Sequence, residues 1–105
     1  MITIEEHRSD TEIIIVLSGS LVAGAIETVR NRLKTLIDDG AMQITFELSG
    51  VDVIDSAGIG LVAATYNTLT KKGGTIKVVE LSDEMYQFFI GLRLNSHFTV
   101  EQKKN

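Results

Sequence analysis

The 105-residue sequence has no cysteine, no proline and no tryptophan, and aromatic residues make up only 6% of it. Without cysteine there is no disulfide framework, no thiolate nucleophile and no sulfur-ligated metal, so nothing calls for an oxidising compartment. Without proline the chain reads as regular elements joined by glycine. Basic residues are also scarce: 10 Lys and Arg stand against 14 Asp and Glu, giving a formal charge of −4. That balance opposes nucleic-acid binding, which needs a concentrated basic surface. No segment approaches the roughly 20 apolar residues that span a bilayer. Glu5 and Glu6 fall where a signal peptide would place its apolar run, so the expectation is a cytoplasmic protein without direct membrane insertion. The two histidines, His7 and His97, lie near opposite ends of the chain.

What is present is enough for one core. Hydrophobic residues make up 44% of the chain, and the length suits a single domain over residues 1–105, with 101–105 as a frayed tail. Ile2 and Ile4, then Glu12 to Leu17, read as two β-branched strands separated by the polar "RSDT" of a hairpin. After "SGSLVAGA", the residues Ile26, Val29, Leu33, Leu36 and Ile37 recur at helical spacing, and Gly40 ends that helix. Ile44, Phe46 and Leu48 alternate with polar residues in a strand that runs on through Val51, Val53 and Ile54 to Asp55. A second helix starts at Ser56 and stops at Gly73-Gly74, "TIKVVEL" is another strand, and Ser82 opens a last amphipathic helix. Met85, Phe88, Phe89 and Leu92 are its apolar positions, and "FTVEQ" is a short terminal strand. The expected fold class is α/β: a mixed sheet opening with an antiparallel hairpin, then parallel strands with crossover helices.

The stretch "VDVIDSAGIG", Val51 to Gly60, ends a strand and starts a helix with small residues. Asp55-Ser56 then lies at the carboxyl edge of the sheet, where open α/β folds keep their ligands. Read plainly, Ser56 or Asp55 caps the helix and the glycines let it pack closely. A sharper reading comes from the helical wheel, on which Gly60, Leu61, Ala64, Thr65 and Thr68 point away from the face of Ile59, Val62 and Tyr66. Leu61 is therefore expected as an exposed aliphatic side chain that a partner would bury. A phosphoryl group on Ser56 would be tolerated by the helix N-terminus, yet would repel a partner docked over it.

The segment from "ITFELSGVDVIDSAGIG" to "TIKVVEL" resembles the core of STAS domains, the family named for sulfate transporters and anti-sigma factor antagonists. Asp55, Ser56, Gly58, Ile59 and Gly60 match that family's Asp-Ser-Ser/Thr-Gly-Leu-Gly turn residue by residue. Ala57 stands where a second Ser or Thr is frequent, and Val22 where antagonists commonly have Asp. The resemblance implies a STAS-like single domain acting as an anti-sigma factor antagonist. Such a protein is a non-catalytic switch that binds an anti-sigma factor with serine/threonine kinase activity and is released on phosphorylation of Ser56. A serine phosphatase would reverse the mark, and no cofactor or metal is required. The implied partner surface comprises Asp55, Ser56, Ala57, Gly58, Gly60, Leu61 and Ala64, with Leu21, Val22, Ala23 and Gly24 as an exposed aliphatic loop. The alternative function on the same fold is a constitutive adaptor subunit of a lipid-transport ATPase complex or a larger signalling assembly.

Enzymatic readings fit the residues poorly. A receiver-type phosphoacceptor needs an acidic pair at the end of the first parallel strand, and Glu5-Glu6 precede the hairpin. "GIG" lacks the further residues of a phosphate-binding loop. A hydrolase would need His97 within hydrogen-bond reach of Ser56. Tyr66, Tyr86, Phe88 and Phe89 are expected in the core.

Overall fold

The computed structural model describes residues 1–104. Strands β1 (Thr3–Ser9) and β2 (Glu12–Leu21) form the hairpin, followed by helix α1 (Ile26–Asp38) and strand β3 (Gln43–Ile54). Helix α2 (Ser56–Lys71), strand β4 (Thr75–Leu81), helix α3 (Asp83–Gly91) and strand β5 (Thr99–Gln102) complete the chain, with 3-10 turns at Ala23–Ala25 and Leu94–Ser96. The sheet has the spatial order β1-β2-β3-β4-β5. Only β1 and β2 are antiparallel, as expected from the hairpin; the remaining pairs are parallel. Each parallel crossover advances one place in the same direction, and right-handed crossovers of that kind put every helix on one face.

Period-2 alternation in the strands explains the core. Ile13, Ile15 and Leu17 of β2, Ile44, Phe46 and Leu48 of β3, and Ile76 and Val78 of β4 are buried. They pack in one cluster with Val29, Leu33 and Leu36 of α1, Val62 and Leu69 of α2, and Met85 and Phe89 of α3. The intervening residues Ile14, Thr45 and Lys77 pair across the strands and form the uncovered face. Arg32 of α1 reaches Glu6 of β1 with both Nε and Nη2, the latter at 2.7 Å from Oε1, and so fastens the edge strand to the helical layer. The Arg32 hydrogen bond holds the Glu6 carboxyl below its ordinary range.

Four expectations change. The segment "SGSL", read as a loop, continues β2 to Leu21 through register shifts at Val16/Ser18 and Gly19/Ser20. Gly19 takes φ +108°, and a side chain there would run into the Met1 carbonyl. The small residues therefore serve a bulged strand, not a free loop. Leu21, expected on an exposed aliphatic loop, is 0% exposed as a result. Phe88 and Leu92 are 44% and 48% exposed, because α3 is short and offers the sheet a single narrow face occupied by Met85 and Phe89. The tail expected over 101–105 begins later: Glu101 and Gln102 belong to β5, as the strand expected at "FTVEQ" has them, and its ladder with β4 continues into a bond from the Lys103 amide to the Leu81 carbonyl. Asn105 of that expected tail lies outside the described residues.

The glycine stops behave as read: Gly40 (φ +104°) and Gly73 (φ +85°) follow α1 and α2 in the left-handed region. Ser82 caps α3 by accepting a bond from the Met85 amide at 3.2 Å. Among the described residues no helix is long and apolar enough to cross a membrane.

Candidate functional site

The site is built where β3 ends and α2 begins. Asp55 is extended (φ −109°, ψ −174°), and its Oδ1 accepts a bond from the Gly58 amide at 3.0 Å. The helix cap is therefore Asp55, and Ser56 becomes the first helical residue with its side chain exposed. The second carboxylate oxygen, Oδ2, accepts from the Ala23 amide at 3.1 Å. One carboxylate thus ties the start of α2 to the turn that leads into α1, across 32 positions of sequence. Four backbone N–H groups favour the ionised form: Gly58 does most to keep the Asp55 carboxyl below its ordinary value, helped by Ala23, Ala57 and the amide of Asp55 itself, while partial desolvation opposes them.

The sign of the resulting pH dependence follows. A depressed carboxyl contributes stability that is complete above its unfolded value and fades as pH falls through the lower folded value. Thermal unfolding of the intact protein is expected to show this loss below the ordinary value of 3.8. Asp55→Ala should start with a midpoint several degrees lower and decline less steeply with acid. Parallel curves for the two proteins would mean that the tether carries no weight.

Gly58 explains why the helix can start so close to the sheet. A Cβ on it would stand 2.4 Å from the Leu21 carbonyl oxygen and 2.7 Å from Cγ1 of Ile54. Gly60 has nothing within 4 Å and faces solvent. Ala57 and Gly60 form one wall of a shallow groove of about 460 Å³, with Ala23, Glu27 and Arg30 opposite and Leu61 beneath.

Of the residues expected at a partner surface, Ser56, Gly60, Ala64, Ala23 and Gly24 are exposed, and Asp55, Ala57 and Val22 are half-buried beside them. Three do not reach the surface. Gly58 is buried against β2, Leu21 is in the core, and Leu61 is 4% exposed. The helical wheel puts Leu61 and Thr65 on the outer face only if α2 packs on the sheet alone. In fact α1 lies alongside, and its Leu33 and Ile37 line a common groove with Leu61 and Thr65. The second neighbour widens the buried arc of the helix. Thr65 satisfies its buried hydroxyl by donating to the Leu61 carbonyl at 2.8 Å.

The surface is consequently made of small side chains and backbone, bordered by charge, where an aliphatic patch was expected. Glu27 and Arg30, joined at 3.2 Å, are the border that sequence reasoning missed. Their polarity on the α1 wheel was visible; their position opposite Gly60 was not. His97 packs against Tyr66 at a ring-centroid distance of 6.0 Å. Tyr66 lies about 15 Å along α2 from Ser56, so this histidine is no general base for the serine.

Comparison with known proteins agrees with the fold. An anti-sigma-B factor antagonist of Bacillus subtilis (strain 168) is 25% identical over 88 residues, covering 84% of this chain and 80% of the relative. The unphosphorylated form of the anti-sigma factor antagonist SpoIIAA superposes with a TM-score of 0.77 at 22% identity, over 98% of this chain and 90% of that one. The phosphorylated form of the Bacillus cell fate determinant SpoIIAA does so with a TM-score of 0.76 at 24% identity, over 93% and 90%. The sequence model of the STAS domain matches residues 1–104, and the chain belongs to the STAS domain family.

Proposed function

We propose that this protein is a cytoplasmic anti-sigma factor antagonist. It is a non-catalytic protein that docks an anti-sigma factor with serine kinase activity over the α2 N-terminus, and it lets go once Ser56 is phosphorylated. The observation that carries this reading is the division of labour between adjacent residues: Asp55 makes the cap, leaving the exposed Ser56 hydroxyl without that structural duty. A phosphoryl group of about −1.5 to −2 charge at the first turn meets a favourable helix dipole, so the fold accepts it. A partner pressed against Ala57, Gly60 and Ala64 meets the same group as steric bulk and as repulsion added to that of Asp55. A serine phosphatase restores the binding form. The names of the Bacillus relatives and the similarity of this fold to both phosphorylation states of SpoIIAA support the reading.

The test is incorporation of phosphate from ATP by anti-sigma-type serine kinases of the same genome. Labelling of the wild type and none of Ser56→Ala is the expected outcome. A stable complex with such a kinase that forms without labelling at Ser56 would favour the constitutive adaptor instead.

A further inference from the structure

A second surface lies between the end of β3 and the first turns of α3, in a groove of about 600 Å³ that does not include Ser56. Val53, Met85 and Phe88 supply its apolar part, and Asp52, Asp83 and Glu84 its charge; none of its lining residues is basic. Val53 is 51% exposed and Phe88 44%, both large apolar side chains, and Phe88 was expected in the core. Two of the carboxylates are held by neutral groups. Ser20 Oγ donates to Asp52 Oδ1 at 2.9 Å, and Gln102 Nε2 donates to Asp83. Neither contact cancels charge. Asp83 and Glu84 also complement the dipole of α3, but that role explains neither Asp52 nor the exposure of Val53 and Phe88.

We infer that this groove docks a cationic amphipathic segment of a partner protein, inserting an apolar side chain between Val53 and Phe88 while its Lys or Arg residues face Asp52, Asp83 and Glu84. Apolar contact flanked by charge of one sign selects both properties in the same ligand. The three carboxylates repel nucleic acid and anionic lipid, which carry the wrong charge. This inference stands apart from the Ser56 switch, since the two surfaces share no residue.

The experiment uses the intact ¹⁵N-labelled protein titrated with a synthetic helical peptide of leucine and lysine, the lysines on one face. A peptide with glutamate in place of each lysine is the control. Shift changes centred on residues 52–54 and 82–88 are expected with the first peptide only, with affinity falling as salt rises. Phe88→Ala and, separately, Glu84→Gln should each weaken binding several-fold, and the pair at least about tenfold, with a Ser56→Ala protein binding the peptide as wild type does. Both substitutions are at exposed positions, and unchanged thermal midpoints confirm that the folded protein is being measured. Equal binding of the glutamate peptide, shifts centred on the α1–α2 face, or full affinity in both variants would overturn the proposal. So would shifts of this patch that grow with protein concentration alone, which would make a second copy of the chain the occupant.

Discussion

Ser56→Asp is expected to weaken the complex with the anti-sigma factor by at least about 100-fold while leaving the folded protein within about 3 °C of its normal melting temperature. The two halves of this result have different causes. The side chain of residue 56 is exposed at the first position of α2, so a carboxylate there meets free amides and the positive end of the dipole, worth about 0.3–1 kcal/mol. Repulsion from Asp55 takes back part of that gain, and the net effect on folding is small. Under a docked partner the same charge is stripped of water beside Asp55, where like charges cost several kcal/mol. Ser56→Ala should bind as the wild type does, and calorimetric titration of the three proteins measures the comparison. Wild-type affinity in Ser56→Asp would remove the basis for a phosphorylation switch.

The largest effect on stability is expected at a neighbouring residue. Gly58→Ala would force a methyl group to within 2.4 Å of the Leu21 carbonyl oxygen, which belongs to the backbone of a paired strand and cannot rotate away. Helix α2 would have to lift from the sheet, loosening the bonds from Asp55 to Gly58 and Ala23. Overpacking of this kind costs about 3 kcal/mol at the upper end of its usual range. For a domain of this size that lowers the melting temperature by more than about 10 °C. Gly60→Ala, two residues further on, has open space around it and should gain up to about 1 kcal/mol of helix propensity. The same methyl narrows the groove opposite Arg30, so binding should weaken as stability rises. Thermal scans of the two variants should therefore move in opposite directions; a common shift would contradict the packing described for the start of α2.

How much of this was legible beforehand differs from residue to residue. The alternation in Ile44, Phe46 and Leu48 and the helical spacing of Val29, Leu33 and Leu36 announced which side of each element is buried, and each of these six is in the core. The Asp-Ser pair announced a helix cap, and the structure gives that role to Asp55 and leaves the Ser56 side chain exposed. Leu61 was misread because a helical wheel gives directions but not the number of neighbours. The helix α1, distant in sequence, closes over it. Phe88 was misread in the opposite sense: expected in the core, it is left uncovered because no element packs there.

The sequence by itself determined the order and type of the elements, their glycine stops, the Ser82 cap and the family. Each of these depends on backbone conformation, side-chain periodicity or a bond spanning a few residues, all of which are written locally. The tertiary structure alone decided that Leu21 and Leu61 are inside, that Asp55 grips Ala23, and that Glu27 and Arg30 face Gly60 across a groove. Burial and long-range hydrogen bonds depend on which surfaces the sheet order brings together, and that is a property of the packed chain as a whole.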